Sequence, residues 1–128
     1  MSITVSWHND HHTEIVNTMV GVWTWDELFA AIDQVVELMD TVDYMVNTII
    51  DMRQSQHVPT MLPSALRRVA NAPHMNHRNS GTLIMVGARP FIKAMFNIFS
   101  TLYPRAAEKF QFAESEEQLE ALLARRMV

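Results

Sequence analysis

Met45-Val46-Asn47-Thr48-Ile49-Ile50-Asp51-Met52-Arg53-Gln54-Ser55-Gln56-His57-Val58-Pro59-Thr60-Met61-Leu62-Pro63 holds the change of character on which the fold turns. Its first seven residues are β-branched and mostly apolar, the pattern of a strand covered on both faces. From Arg53 the chain turns polar, and Pro59 bounds the run, so a loop is expected here. In α/β sheets, ligands and partners meet the chain where such a loop leaves the carboxyl end of a parallel strand. The stretch therefore carries both the expected centre of the sheet and the first candidate site.

Upstream, Ile3-Thr4-Val5-Ser6-Trp7 alternates apolar and polar, and Ile15 to Val20 reads as a second strand. The turn formers His8 to His12 lie between them, which predicts an antiparallel hairpin. Thr24-Trp25-Asp26-Glu27 has the form of a capping box, and apolar residues from Trp25 to Met39 recur at helical spacing. Downstream, Leu62, Leu66, Val69 and Ala70 predict a second helix with Pro63 in its first turn. His74 to Ser80 is a loop by composition, and Gly81 to Gly87 is a buried strand. Pro90 opens a third helix that Pro104 ends or kinks. Phe110-Gln111-Phe112 is a short strand, and Ser115-Glu116-Glu117-Gln118 caps a last helix faced by Leu119, Leu122 and Leu123. The expectation is a single α/β domain over 1–128, with a mixed five-stranded sheet, its first strand antiparallel and the rest mainly parallel, and four helices.

The chain has 128 residues, 48% hydrophobic and 19% charged, which fits one folded domain and argues against disorder. A net charge of −4 gives no support to nucleic-acid binding. With no cysteine, disulfides, thiolate metal sites and a cysteine nucleophile are excluded. No basic, then apolar, leader stands at Met1-Ser2-Ile3-Thr4, and Phe91 to Tyr103 is too short and polar to span a bilayer. A cytoplasmic location is the expectation.

The arrangement resembles the STAS/SpoIIAA-like family, whose compact α/β fold is shared with lipid-binding CRAL-TRIO domains. The likeness rests on Gly21-Val22-Trp23-Thr24-Trp25-Asp26-Glu27-Leu28, Ile49-Ile50-Asp51-Met52-Arg53, His77-Arg78-Asn79-Ser80-Gly81 and Phe112-Ala113-Glu114-Ser115-Glu116-Glu117. Anti-sigma-factor antagonists of that family are phosphorylated on a serine in an Asp-Ser-Ser/Thr-Gly motif at the start of the second helix. Here Asp51 is followed by Met-Arg-Gln-Ser, and Ser55, Thr60 and Ser64 are nearby hydroxyls outside any such motif. The resemblance thus implies a non-enzymatic regulatory or scaffold module that binds a protein partner.

Two candidate surfaces follow from the residues. Arg53 and Arg89 each leave a strand shortly before a helix start, and two guanidiniums beside helix donors can hold an anion or a partner's acidic group. Ser55, Gln56, His57 and Thr60 could add hydrogen bonds; the plainer reading is solvated arginines, or pairing with Asp51. The second surface is the broad apolar face of the third helix, with Phe91, Met95, Phe96, Phe99 and Tyr103, in a chain of ten methionines. Burial in the monomer accounts for it first, a homodimer contact next, and a lipid or apolar-ligand pocket third.

No cofactor, metal or catalytic residue is expected. His8, His11 and His12 could ligate a metal, but an exposed turn rarely fixes such ligands. Ser55, His57 and Asp51 are the residue types of a hydrolase triad, without a nucleophile elbow or an oxyanion-hole glycine.

Overall fold

The computed structural model describes residues 2–60 and 62–126 and, for 125 and 126, the backbone only. Met61, in the approach to the second helix, lies outside the described residues. The elements in order are β1 (Ile3–Trp7), β2 (Glu14–Val22), α1 (Trp25–Met39), β3 (Val46–His57), α2 (Pro63–Ala70), β4 (Ser80–Val86), α3 (Pro90–Leu102), α4 (Pro104–Ala107), β5 (Phe110–Ala113) and α5 (Glu116–Arg126). They form one five-stranded sheet in the order β1-β2-β3-β4-β5. β1 is antiparallel to β2, and every later neighbour is parallel. The expected architecture holds, with β3 in the centre.

Local chemistry sets the boundaries. Asn9 Oδ1 accepts from the Thr13 amide at 3.0 Å, which closes the hairpin turn, and His12 takes φ 56° there. Thr24 Oγ1 accepts from the Glu27 amide at 3.1 Å and caps α1. At the second capping box only the serine arm follows the pattern, because the glutamine reaches one residue past the cap. Ser115 Oγ accepts from the Gln118 amide at 3.2 Å, and Gln118 Oε1 accepts from the Glu114 amide at 2.8 Å.

Two expectations are corrected. The described residues hold five helices rather than four, because Pro104 ends α3 but also opens the four-residue α4 as its first residue. The segment Arg53 to His57 is strand, not loop. β2 runs on to Val22, so Gln54, Ser55 and His57 still have neighbours to pair with, at Val20, Gly21 and Val22. Polarity there marks an exposed strand end, in which only Ser55 is buried.

Side chains alternate across the sheet. One face packs on α1, α2 and α3, using Thr48, Ile50, Met52, Leu83 and Met85. The other is covered by α5, where Leu119 and Leu123 meet Ile49, Ile84, Val86 and Ala113.

Candidate functional site

Beneath α1, α2 and α3 lies a cavity of about 130 Å³. Its wall holds four methionines, Met19, Met52, Met85 and Met95, and the rings of Trp23, Trp25, Phe96, Phe99 and Phe110. Asn17, Thr48 and His74 are the polar members of the wall. All three are buried, at 5%, 2% and 5% exposure. Among the described residues no charged side chain lines the cavity. Asn17 and Thr48 sit on adjacent parallel strands, Asn17 opposite Ile50 and Thr48 opposite Ile15, so they are diagonal neighbours on one face. His74 reaches the cavity from the turn between α2 and β4, and its Nδ1 is buried without a hydrogen-bond partner. Burial, helped by the nearby charge of Lys109, pushes its imidazole down to about 4, so the ring is neutral at pH 7. The Lys109 ammonium itself donates to the Met75 carbonyl.

A second feature lies at the carboxyl edge of the sheet. Ser55, Gln56, His57, Val58, Arg89, Phe91 and Ile92 surround a surface hollow of about 360 Å³. Val58 and Ile92 belong to both the hollow and the cavity, so the two are neighbours at the cavity's outer end.

The structure brings together most of the first candidate surface but leaves Arg53 out of it. Ser55, Gln56, His57 and Arg89 share the hollow with Phe91. Ser55 is itself buried, and its Oγ accepts from Trp23 Nε1 at 3.0 Å. Thr60 contributes its carbonyl to Trp25 Nε1 at 2.9 Å, which pins the chain over α1. Arg53 forks onto Asp51 instead, with Nε at 3.0 Å and NH2 at 2.8 Å, while NH1 reaches Glu116 at 2.8 Å. The guanidinium thereby holds the Asp51 carboxyl below its usual range, and its own pKa is raised. Gly87 accommodates this crossing at φ 72°, where an added Cβ would stand 2.5 Å from Arg53 Cγ. With Asp51 engaged by Arg53 and Ser55 by Trp23, the three triad-type residues are not linked into a relay.

The apolar helix splits its residues between two surroundings. Met95, Phe96 and Phe99 line the cavity, Tyr103 packs against Phe99 at 5.6 Å between ring centroids, and Phe91 is 63% exposed. At the hairpin tip the His12 ring stacks on Trp7 at 4.5 Å. Among the described residues, no group of three or more histidine, cysteine or acidic side chains is placed to hold a metal ion. None of their helices is long and apolar enough to cross a membrane.

Asn17, Thr48 and His74 were not singled out as site residues from the sequence. Asn17 and Thr48 had a usable signal, being polar residues within strands that otherwise read as largely apolar. His74 had none, because a histidine between Pro73 and Met75 reads as ordinary loop.

The fold is SpoIIAA-like. A crystal structure of a DUF3478-family protein with a SpoIIAA-like fold, from Shewanella loihica PV-4, superposes with a TM-score of 0.59 at 10% identity, over 94% of this chain and 93% of that one. No protein-family model matches the chain, and no curated protein matches it in sequence.

Proposed function

We propose that this chain is a non-enzymatic module that binds a small apolar molecule in the cavity under α1, α2 and α3. The observation that carries this reading is the cavity itself: a methionine- and aromatic-lined space of about 130 Å³ containing an unpartnered buried histidine nitrogen. Apolar cavities of about 150 Å³ stay dry and take up benzene-sized guests. Methionine walls adapt to a guest because the side chain is unbranched and its sulfur packs well on rings. The test is to label the methionine methyls and titrate with toluene by NMR. Saturable shifts at Met19, Met52, Met85 and Met95 are expected. If those four methyls stay still while surface methionines move, the reading fails.

A second reading, a regulatory or scaffold module that contacts a protein partner, draws support from the outer hollow. There Gln56, His57 and Arg89 present exposed polar groups beside the exposed Phe91 ring. Phe91, Ile98 and Leu102 are all exposed on α3 and could extend the contact, to a second copy of the chain as readily as to another protein. Arg89→Glu is the informative variant, since Arg53 is committed to Asp51 and Glu116. A partner captured equally by wild type and by Arg89→Glu would place the contact elsewhere.

A further inference from the structure

The chemistry of the cavity wall narrows the guest further, given the small-molecule reading above. The polar residues gather at one end. Asn17 and Thr48 lie near the starts of β2 and β3, and His74 precedes β4, so all three belong to the end of the sheet where the parallel strands begin. Val58 and Ile92, shared with the surface hollow, lie at the opposite end, where β3 finishes and α3 starts. Counted from the Val58 and Ile92 end, hydrocarbon and aromatic walls come first and the polar groups last.

Those polar groups are all neutral hydrogen-bonding groups. An asparagine amide, a threonine hydroxyl and an uncharged imidazole can each both donate and accept. None of them neutralises a charge. A carboxylate carried to this end would lie among neutral groups in an apolar wall, and burial of an unpaired charge is strongly unfavourable. The charge that acts on His74 is that of Lys109, but it is not part of the wall, and its ammonium is engaged by the Met75 carbonyl. A hydroxyl or carbonyl, in contrast, would satisfy polar groups that the fold leaves open, as with His74 Nδ1.

We propose that the cavity takes an uncharged, ring-sized molecule whose single hydroxyl or carbonyl group meets Asn17, Thr48 and His74 at the inner end, rather than an amphiphile with a carboxylate head.

Three probes of similar size and different polarity test this at pH 7: toluene, benzyl alcohol and benzoate, each titrated into the whole chain and followed by the methionine methyl signals. Benzyl alcohol is expected to bind at least ten-fold more tightly than benzoate. It is also expected to bind roughly five-fold more tightly than toluene, the size of a net hydrogen bond. Thr48→Val, which keeps the side-chain shape, and His74→Phe should each reduce the benzyl alcohol advantage over toluene toward one, with circular dichroism to show that both variants fold. Benzoate binding as tightly as benzyl alcohol overturns the proposal. So does equal affinity for toluene and benzyl alcohol in the wild type, although toluene binding would leave the cavity reading intact. If no probe binds, the cavity reading falls and the proposal with it.

Discussion

The two faces of the sheet are built from alternate residues of the same strands, yet one is filled and the other holds a void. Toward α5 the strands present Ile49, Ile84, Val86 and Ala113, short or β-branched side chains with few rotamers. Toward α1, α2 and α3 they present Ile50 and Leu83 but also Asn17, Met19, Thr48, Met52 and Met85, which are long and flexible or polar. Stiff branched residues interdigitate to high density, whereas flexible methionines can move aside for a guest and refill the space without one. A single period-2 alternation thus writes a structural face and a binding face into one strand.

The largest expected effect lies on the filled face. Leu119 is 1% exposed against the sheet, and Leu119→Ala should destabilise by about 3 kcal/mol in denaturant unfolding. A loss below about 1 kcal/mol would show that α5 is loosely seated and would break the contrast.

The open face should reveal itself through acid. His74 takes up its proton near pH 6.5 in the unfolded chain but only near about 4 in the folded one. The stability its neutral form contributes is therefore complete above pH 6.5 and is lost as the pH falls to about 4. The loss is of order 3 kcal/mol over that window. Asp51 is also depressed, from 3.8, so most of its contribution is lost below the His74 window, and only its onset overlaps the lower end of that window. His74→Phe should flatten the pH 4–6.5 slope; an unchanged slope would locate the acid sensitivity in another group.

The same substitution made on both faces sharpens the comparison. Val86→Leu, where Val86 is fully buried under α5, should cost about 1–3 kcal/mol through overpacking. Val35 on α1 lines the cavity, and Val35→Leu should be neutral or stabilising by up to about 1 kcal/mol. Equal costs would mean that the void is already occupied by neighbouring side chains.

The smallest effect concerns the strap between β3 and α5. Arg53→Gln removes the fork on Asp51 and the contact to Glu116, but the arginine side chain is 43% exposed and solvent screens both pairs. A loss of about 1 kcal/mol is expected by thermal unfolding, shrinking in high salt.

Most of the architecture was legible because it depends on local signals. Two capping boxes, prolines at the starts of α2 and α3, the alternation of β1 and the apolar runs of β3 and β4 are all written along the chain. The extension of β3 was not, since its length depends on how far β2 runs beside it, and a polar strand end is indistinguishable from a loop in sequence. The hollow was partly legible, because Ser55, Gln56 and His57 are neighbours in sequence and Arg89 precedes a helix. The cavity was not. Its wall is assembled from β2 to β5, α1, α2, α3 and the turn carrying His74, and an internal void has no linear pattern.

The strand order, which repeats the order of the chain, bears on how the molecule acquires its structure. Each parallel pairing needs only one intervening crossover to close, so no step waits on a distant segment and the entropic cost of loop closure stays small. A nucleus around β1, β2, α1 and β3 can therefore grow by accretion at a single edge. Only α5 departs from this progression, doubling back to the opposite face, and its docking is the natural last event of folding.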